Sequence, residues 1–198
     1  MSQPKRKGDL HIITGPMWSG KTSALRQALM RYKFANKNTL AFAYNGDVRY
    51  SVDNEIVTHE KLCLPAVRVS HLADVPDSLI LEGNYTAVGI DEAQFFPDLA
   101  ATVAHWINLG LHVYVAGLDS TYRMQPFGQI HLTMCMATSI RKLTAVCMRC
   151  GAEAPFTGKI AGGSIIEEVG GDDKYISVCH DCHEVVLREF DNKQPKHD

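Results

Sequence analysis

Three groups of residues in this 198-residue chain have the types and spacing that chemistry requires. Gly15-Pro16-Met17-Trp18-Ser19-Gly20-Lys21-Thr22 follows G-x-x-x-x-G-K-[ST] at every position. Glycines let such a turn curl until successive N–H groups point inward at phosphate oxygens, and a following helix adds its positive N-terminal end. In that layout Lys21 reaches the β- and γ-phosphates of ATP, and the Thr22 hydroxyl binds Mg²⁺. The second group is Ile90-Asp91-Glu92-Ala93-Gln94, adjacent carboxylates closing an apolar run. Asp91 there supports the metal ion, and Glu92 lies near the γ-phosphate, where it can take a proton from an attacking oxygen. The same pair would also suit a helix N-terminus, through the dipole. The pair does not distinguish water from an alcohol as the attacking group.

The third group is Cys147-Met148-Arg149-Cys150 and Cys179-His180-Asp181-Cys182, two C-x-x-C pairs separated by 28 residues. A single pair reads equally as a redox site, but two in one short module point to a tetrahedral Zn²⁺ site. Four thiolates leave no position for water, so the expected zinc is structural. His180 and His183 are near in sequence but are not expected to be ligands.

The elements that must position these groups are readable as runs. Leu10 to Thr14 reads as a strand entering a turn, and Ala24 to Met30 as the helix after it. Further strands are expected at Thr39 to Tyr44, Val67 to Ser70, Tyr85 to Ile90, Leu111 to Ala116 and Leu143 to Val146, with a helix over Leu99 to Asn108. Alternating strands and helices predict an α/β fold with a parallel sheet flanked by helices. Ligands of such sheets gather at the carboxyl ends of the strands, so Asp91 and Glu92 should face the 15–22 turn. At Cys147 the texture changes to cysteines and Gly-Gly pairs. The expected organisation is a tail over 1–8, an α/β domain over 9–146, a zinc-binding domain over 147–190 and a disordered polar tail over 191–198.

Composition narrows the function classes. With 45% hydrophobic and 21% charged residues, a core can form without disulfides. A net charge of −2 argues against a nucleic-acid surface, and Lys5-Arg6-Lys7 reads as a solvated tail. No segment is long and apolar enough to span a bilayer, and the N-terminal residues do not read as a secretory signal. A cytoplasmic location without membrane or nucleic-acid partners is therefore expected. Cys63 and Cys135 stand alone in apolar surroundings and are expected to be small buried hydrophobes.

Six blocks in order extend the reading. They are Gly15 to Thr22, Asp47-Val48-Arg49-Tyr50-Ser51, Ile90 to Asp98, Leu118 to Gly128, Lys142 to Cys147 and Gly170 to Tyr175. Together they resemble the thymidine kinases of the cytosolic vertebrate and bacterial type, from about residue 9 to about residue 188. The resemblance implies a RecA-like P-loop NTPase core and a zinc domain carrying a lasso-type substrate loop. It also implies transfer from ATP to the 5′-hydroxyl of thymidine, with deoxyuridine as a second acceptor, in deoxynucleotide salvage.

In that reading Glu92 is the general base, with Lys21 and Arg49 beside it as catalytic residues. Gly15 to Thr22, Asp47, Val48, Arg49, Asp91, Glu92, Ala93 and Gln94 form the ATP and Mg²⁺ site. Arg49 reads physically either as charge compensation on the transferring phosphoryl or as a surface salt bridge. The aromatic positions Phe95, Tyr122, Phe127 and Tyr175, with Leu118 and Thr157, line the thymidine pocket. Ile166, Glu167, Glu168, Val169 and Gly170 form the loop that holds the base through backbone atoms. The resemblance also implies a homotetramer and feedback inhibition by thymidine triphosphate. Trp18, Ala93 and Tyr122 depart from the family's usual Phe, Gly and Phe; Tyr122 thereby places a hydroxyl near the pocket. Two other classes share part of the pattern, an ATPase motor or helicase fragment and an ATP-switched nucleic-acid-binding zinc ribbon. Chain length argues against the first and neutral charge against the second.

Overall fold

The computed structural model describes residues 7–46, 55–57, 63–166 and 168–194. In chain order its strands and helices are β1 (Leu10–Thr14), α1 (Lys21–Phe34), β2 (Asn38–Tyr44), β3 (Glu55–Val57), β4 (Cys63–Pro65), β5 (Val67–Val69), α2 (Asp77–Glu82), β6 (Tyr85–Ile90), α3 (Leu99–Leu109), β7 (His112–Gly117), α4 (Ile130–Met134), β8 (Ser139–Lys142), β9 (Ala145–Val146), β10 (Glu153–Ala154), β11 (Phe156–Lys159), β12 (Tyr175–Val178) and α5 (His180–Lys193). Six strands pair in the order β5-β2-β6-β7-β1-β8, every pair parallel. The expected parallel sheet with flanking helices is therefore present.

The two faces of this sheet are built differently. Because successive strand residues point to opposite faces, Phe42, Val88, Ile90, Val113 and Val115 share one face and pack with Leu99, Val103 and Trp106 of α3. The opposite face presents Ala41, Ala43, Ala87 and Ala116 to Leu25 and Leu29 of α1. Large side chains hold α3 away from the sheet, whereas small ones let α1 lie close. Gly89 marks the tightest approach: a Cβ there would lie 2.7 Å from Leu29 Cδ1 and 3.0 Å from Leu25 Cδ1.

The C-terminal module is a β9–β10 hairpin and a β11–β12 hairpin, with α5 packed against them. Helix α5 places His183, Val186 and Phe190 on its buried face, three and then four residues apart.

Several expectations need correction. The edge strand is Ser139–Lys142 rather than 143–146; Leu143 only donates its N–H to the Thr14 carbonyl at 2.7 Å, and Ala145–Val146 belongs to the small hairpin. All four residues of β8 are exposed, so it lacks the apolar run by which inner strands are recognised. Helix α5 continues through Lys193, into the stretch expected to be a disordered tail from 191. Cys135 is exposed at the end of α4, not buried. The side chain of Cys63 lies outside the described residues.

If the small-residue face sets the distance of α1 from the sheet, Gly89→Val overpacks that contact. We expect a loss of about 1–3 kcal/mol, read as a lower urea midpoint at unchanged slope; an unchanged midpoint would show that the contact has slack.

Candidate active site

Strand β1 runs into the 15–20 turn, and α1 begins at Lys21 with Gly20 as its N-cap. Lys21 Nζ donates to the Pro16 carbonyl at 2.7 Å, and Ser19 Oγ donates to the same oxygen at 2.8 Å. Trp18 holds a left-handed backbone, φ 68°, within the turn. The strand–turn–helix context expected around residues 15–22 is thus present.

The carboxyl end of β6 faces this turn. Thr22 Oγ1 donates to Asp91 Oδ1 at 3.3 Å, and the Asp91 N–H donates to the Phe42 carbonyl at 2.9 Å. Asp91 is buried, and burial pushes its carboxyl up to about 7; the Glu92 charge adds to the shift. Glu92 has φ 48° and ψ 41°, a left-handed conformation that costs a non-glycine residue about 1–3 kcal/mol and concentrates at functional sites. Glu92 is the N-cap residue of a single 3-10 turn, Ala93–Phe95, but its side chain makes no capping hydrogen bond there, and α3 begins only after Asp98.

Gln94, expected at the ATP and Mg²⁺ site, links Glu92 to the neighbouring strand end. Its Nε2 donates to Glu92 Oε2 at 2.6 Å, while its Oε1 accepts the Leu118 N–H at 3.0 Å. Gly117 makes room for this link, because a Cβ there would meet Gln94 Oε1 at 2.7 Å. Glu92 is thereby oriented by an amide anchored on the neighbouring strand end. Ala93 is fully buried in the core. Asp47, Val48, Arg49 and Glu167 lie outside the described residues.

The aromatic candidates fall into two connected groups. Phe95 stacks on Tyr44 with centroids 5.3 Å apart and meets Phe127 edge-on at 5.5 Å. Tyr122 and Tyr175 are buried with Met17 and Phe190, and with Trp18, Leu118 and Leu187 packed against them. The 15–22 turn thus touches the rings of the C-terminal module directly. A hydrogen bond reinforces the contact, from the Met17 N–H to Thr157 Oγ1 on β11, 3.0 Å. His183, buried on α5, bonds the Tyr122 carbonyl through Nε2 at 2.8 Å, which gives that histidine a structural role.

The segment between β11 and β12 is held by charges. Lys159 Nζ donates to the Gly163 carbonyl at 2.6 Å, the Ile165 carbonyl at 2.9 Å and Glu168 Oε2 at 2.7 Å. Lys174 Nζ bonds Glu168 Oε1 at 2.6 Å, and the Tyr175 hydroxyl donates to the Glu168 carbonyl at 2.7 Å. Bonds from Lys159 and then Lys174 hold the Glu168 carboxyl below its usual range. Ile166 is exposed, and Val169 and Gly170 are half-buried. Lys159 escaped the sequence reading, since nothing in Phe156-Thr157-Gly158-Lys159-Ile160 marks a lysine whose partners lie further along the chain.

Cys147, Cys150, Cys179 and Cys182 bring their sulfur atoms within 4.8 Å of one another, with no disulfide among them. The Cys150 and Cys179 sulfurs are 3.6 Å apart. A tetrahedral site with Zn–S bonds of about 2.3 Å would set sulfurs about 3.8 Å apart, so this cluster is compatible with zinc. Cys179 caps α5, which puts Cys182 in its first turn, while Cys147 and Cys150 sit in the β9–β10 turn. His180 and His183 are not part of the cluster.

The fold and site define a parallel α/β protein with paired carboxylates at one strand end and a four-cysteine module in its C-terminal part. The sequence profile of the thymidine kinase family matches residues 8–183, and the chain belongs to that family. It is 41% identical over 191 residues to thymidine kinase 1 of Dictyostelium discoideum, covering 95% of this chain and 83% of that one. It is 38% identical over 182 residues to the cytosolic thymidine kinase of Homo sapiens, covering 92% and 76%. With the thymidine kinase of Yaba monkey tumor virus (strain VR587) it shares 41% over 178 residues, covering 90% and 96%.

The raised Asp91 carboxyl has a consequence for stability. The folded protein keeps this proton up to about pH 7, whereas the unfolded chain releases it near 3.8. The folded state therefore binds more protons across that interval, and stability falls as pH rises through it. In nucleotide-free protein with EDTA, Asp91→Asn is expected to melt several degrees above the parent at pH 8, the gain shrinking toward pH 4. A gain independent of pH would place the effect elsewhere.

Proposed function

We propose that the chain transfers the γ-phosphoryl group of ATP to the 5′-hydroxyl of thymidine, with Glu92 as general base. The observation that carries this reading is the meeting of Asp91 with the start of α1, the 3.3 Å contact from Thr22, with Glu92 the next residue along the chain. In this reading the Glu92 carboxylate, held by Gln94, takes the nucleoside proton. The new bond forms between the nucleoside oxygen and the γ-phosphorus; the bond to the β–γ bridging oxygen breaks, and ADP departs. Lys21 neutralises charge on the β- and γ-phosphates. Thr22 and Asp91 would hold Mg²⁺, which supplies charge neutralisation between those phosphates. Asp47, Val48 and Arg49 belong to the ATP site in this reading, Arg49 compensating charge on the transferring group.

Thymidine lies among Phe95, Leu118, Tyr122, Phe127, Thr157 and Tyr175, its base read by backbone atoms of 166–170. Flat rings suit a flat base, and fixed donors and acceptors reject a base that would leave them unpaired. Deoxyuridine, which offers the same hydrogen-bonding edge, is a second acceptor. The four cysteines would hold structural Zn²⁺, tying the β9–β10 turn to the start of α5, with the base-binding loop lying between the two cysteine pairs in sequence. A cytoplasmic setting, where thiols stay reduced, suits this site; no helix among the described residues is long and apolar enough to cross a membrane. The family resemblance adds a homotetramer inhibited by thymidine triphosphate.

Incubation with labelled ATP and thymidine should yield labelled thymidine monophosphate; phosphate release alone would sink the reading. Glu92→Gln should retain ATP binding while kcat falls about 10²- to 10⁴-fold, and near-normal turnover would remove Glu92 from its role. Elemental analysis should find one zinc per chain. Its chelation should weaken thymidine binding more than ATP binding in calorimetric titrations, because the loop's ordering cost rises; equal loss of both would reject this account of the metal.

A further inference from the structure

Lys159 is the least expected charge in the molecule. Its side chain is 0% exposed, and its ammonium sits 5.1 Å from the Tyr122 ring centroid, 5.4 Å from Phe190 and 5.6 Å from Tyr175. Burying an ammonium is costly unless it is paired and hydrogen-bonded. An ammonium carries three protons, and here the three acceptors are the Gly163 carbonyl, the Ile165 carbonyl and Glu168 Oε2. All three lie in one segment, whose described residues 163–166 and 168 form no helix or strand. Apolar burial does little to hold that segment, because Ile165 is 67% and Ile166 39% exposed. Its remaining ties converge on the same place: the Tyr122 hydroxyl donates to the Ser164 carbonyl at 3.4 Å, and Lys174 and Tyr175 both reach Glu168.

We propose that Lys159 is a positioning residue for nucleoside specificity, a buried cation that pre-forms the 163–169 segment and the Tyr122–Tyr175 ring pair before the base arrives. The inference rests on the proposed role of 166–170 in holding the base. Lys159 makes no contact with the reacting atoms in that scheme; it acts through the loop backbone and the two rings. An apolar side chain of similar length would fill the ring cage but leave two loop carbonyls without their donor. The loop would then sample other conformations, and nucleoside binding would have to order it. The three hydrogen bonds of the ammonium all end within the loop, and a methionine at 159 keeps the ring cage beneath Met17 filled, so the ATP half of the reaction should be spared.

The test uses the full chain as Lys159→Met, Lys159→Arg and Glu168→Gln. Hydrogen exchange read by mass spectrometry is expected to quicken at least about tenfold over 162–169 in Lys159→Met and, more weakly, in Glu168→Gln, with the core strands unchanged. For Lys159→Met the thymidine KM should rise about tenfold, as for about 1.4 kcal/mol of lost pre-organisation, while kcat and the ATP KM stay within about twofold. Lys159→Arg, which keeps charge and donors, should recover most of the loss. Unchanged loop exchange in both Lys159→Met and Glu168→Gln overturns the proposal, as does a loosened loop with an unchanged thymidine KM. If Lys159→Met does not fold, Glu168→Gln still tests the clamp without disturbing the ring cage. A separate control isolates the underlying reading: thymidine should slow exchange over 162–169 in the unaltered protein, and failure there refutes the loop assignment itself.

Discussion

The close seating of α1 on the sheet is the constraint from which the site's geometry follows. Ala41, Ala43, Ala87, Gly89 and Ala116 pave the face beneath it, so Leu25 and Leu29 descend almost to the backbone of β6. That descent brings Thr22, at the first turn of α1, to the carboxylate of Asp91 at the end of the same strand. Were the face built of valines and isoleucines like the opposite one, the helix would ride higher and its N-terminus would retreat from the strand ends. Full burial of each leucine stabilises the fold by about 1.5–3 kcal/mol. Such a term is large enough to offset the left-handed backbone at Glu92, which costs about 1–3 kcal/mol, and it adds to the contacts that offset the desolvated carboxyl of Asp91. Packing under the helix thus sustains two unfavourable features at the proposed chemical centre.

The two halves of the site are not independent bodies. Met17 belongs to the 15–22 turn, yet its side chain packs with Tyr122, Tyr175 and Phe190, and its N–H is held by Thr157 of β11. The segment around Tyr122 is in turn tied to α5 by His183 and by the Arg123–Asp191 ion pair at 2.6 Å. Both the exposed ion pair and the ring contacts bridge the sheet domain and the cysteine module. The exposed pair contributes little by itself, whereas the buried rings and the two buried hydrogen bonds between side chain and backbone fix the relative placement. A change in the module is therefore felt at the turn through Thr157 and the rings.

What could be read from the chain beforehand divides by the range of the interactions. The 15–22 turn, the Asp91–Glu92 pair and the cysteine spacing are local patterns, so their chemistry is written in consecutive residues. Inner strands such as Tyr85–Ile90 announce themselves by apolar runs. Edge strand β8 does not, because both its faces are exposed and Ser139, Arg141 and Lys142 are as suitable there as valine. Helix α5 was hidden by its own first turn, where Cys179 and Cys182 drew the reading toward metal and away from the buried His183, Val186 and Phe190. The link from Gln94 to Leu118 was not legible, because only the register of β6 beside β7 brings the Leu118 amide to its carbonyl oxygen. Lys159 is the extreme case, since a lysine between Gly158 and Ile160 reads as a solvent-facing strand residue until the chain folds back over it.

The use of a buried cation at 159 also explains why this loop is not simply packed. An apolar core in its place would be no less stable, because replacing a buried ion pair by well-packed hydrophobic groups is often neutral or favourable. But apolar contact is non-directional and cannot fix the orientation of individual carbonyls. The proposed reading of a base through the backbone would need just that orientation, and the Gly163 and Ile165 carbonyls are turned inward by the ammonium they share. The remaining backbone groups of the segment are then set by peptide planarity and chain connectivity. Glu168 completes the arrangement by neutralising the buried charge and, through Lys174, fastening the loop's end to the start of β12. Directional bonding is accepted here at no gain in stability, and the return is that the Gly163 and Ile165 carbonyls hold fixed directions.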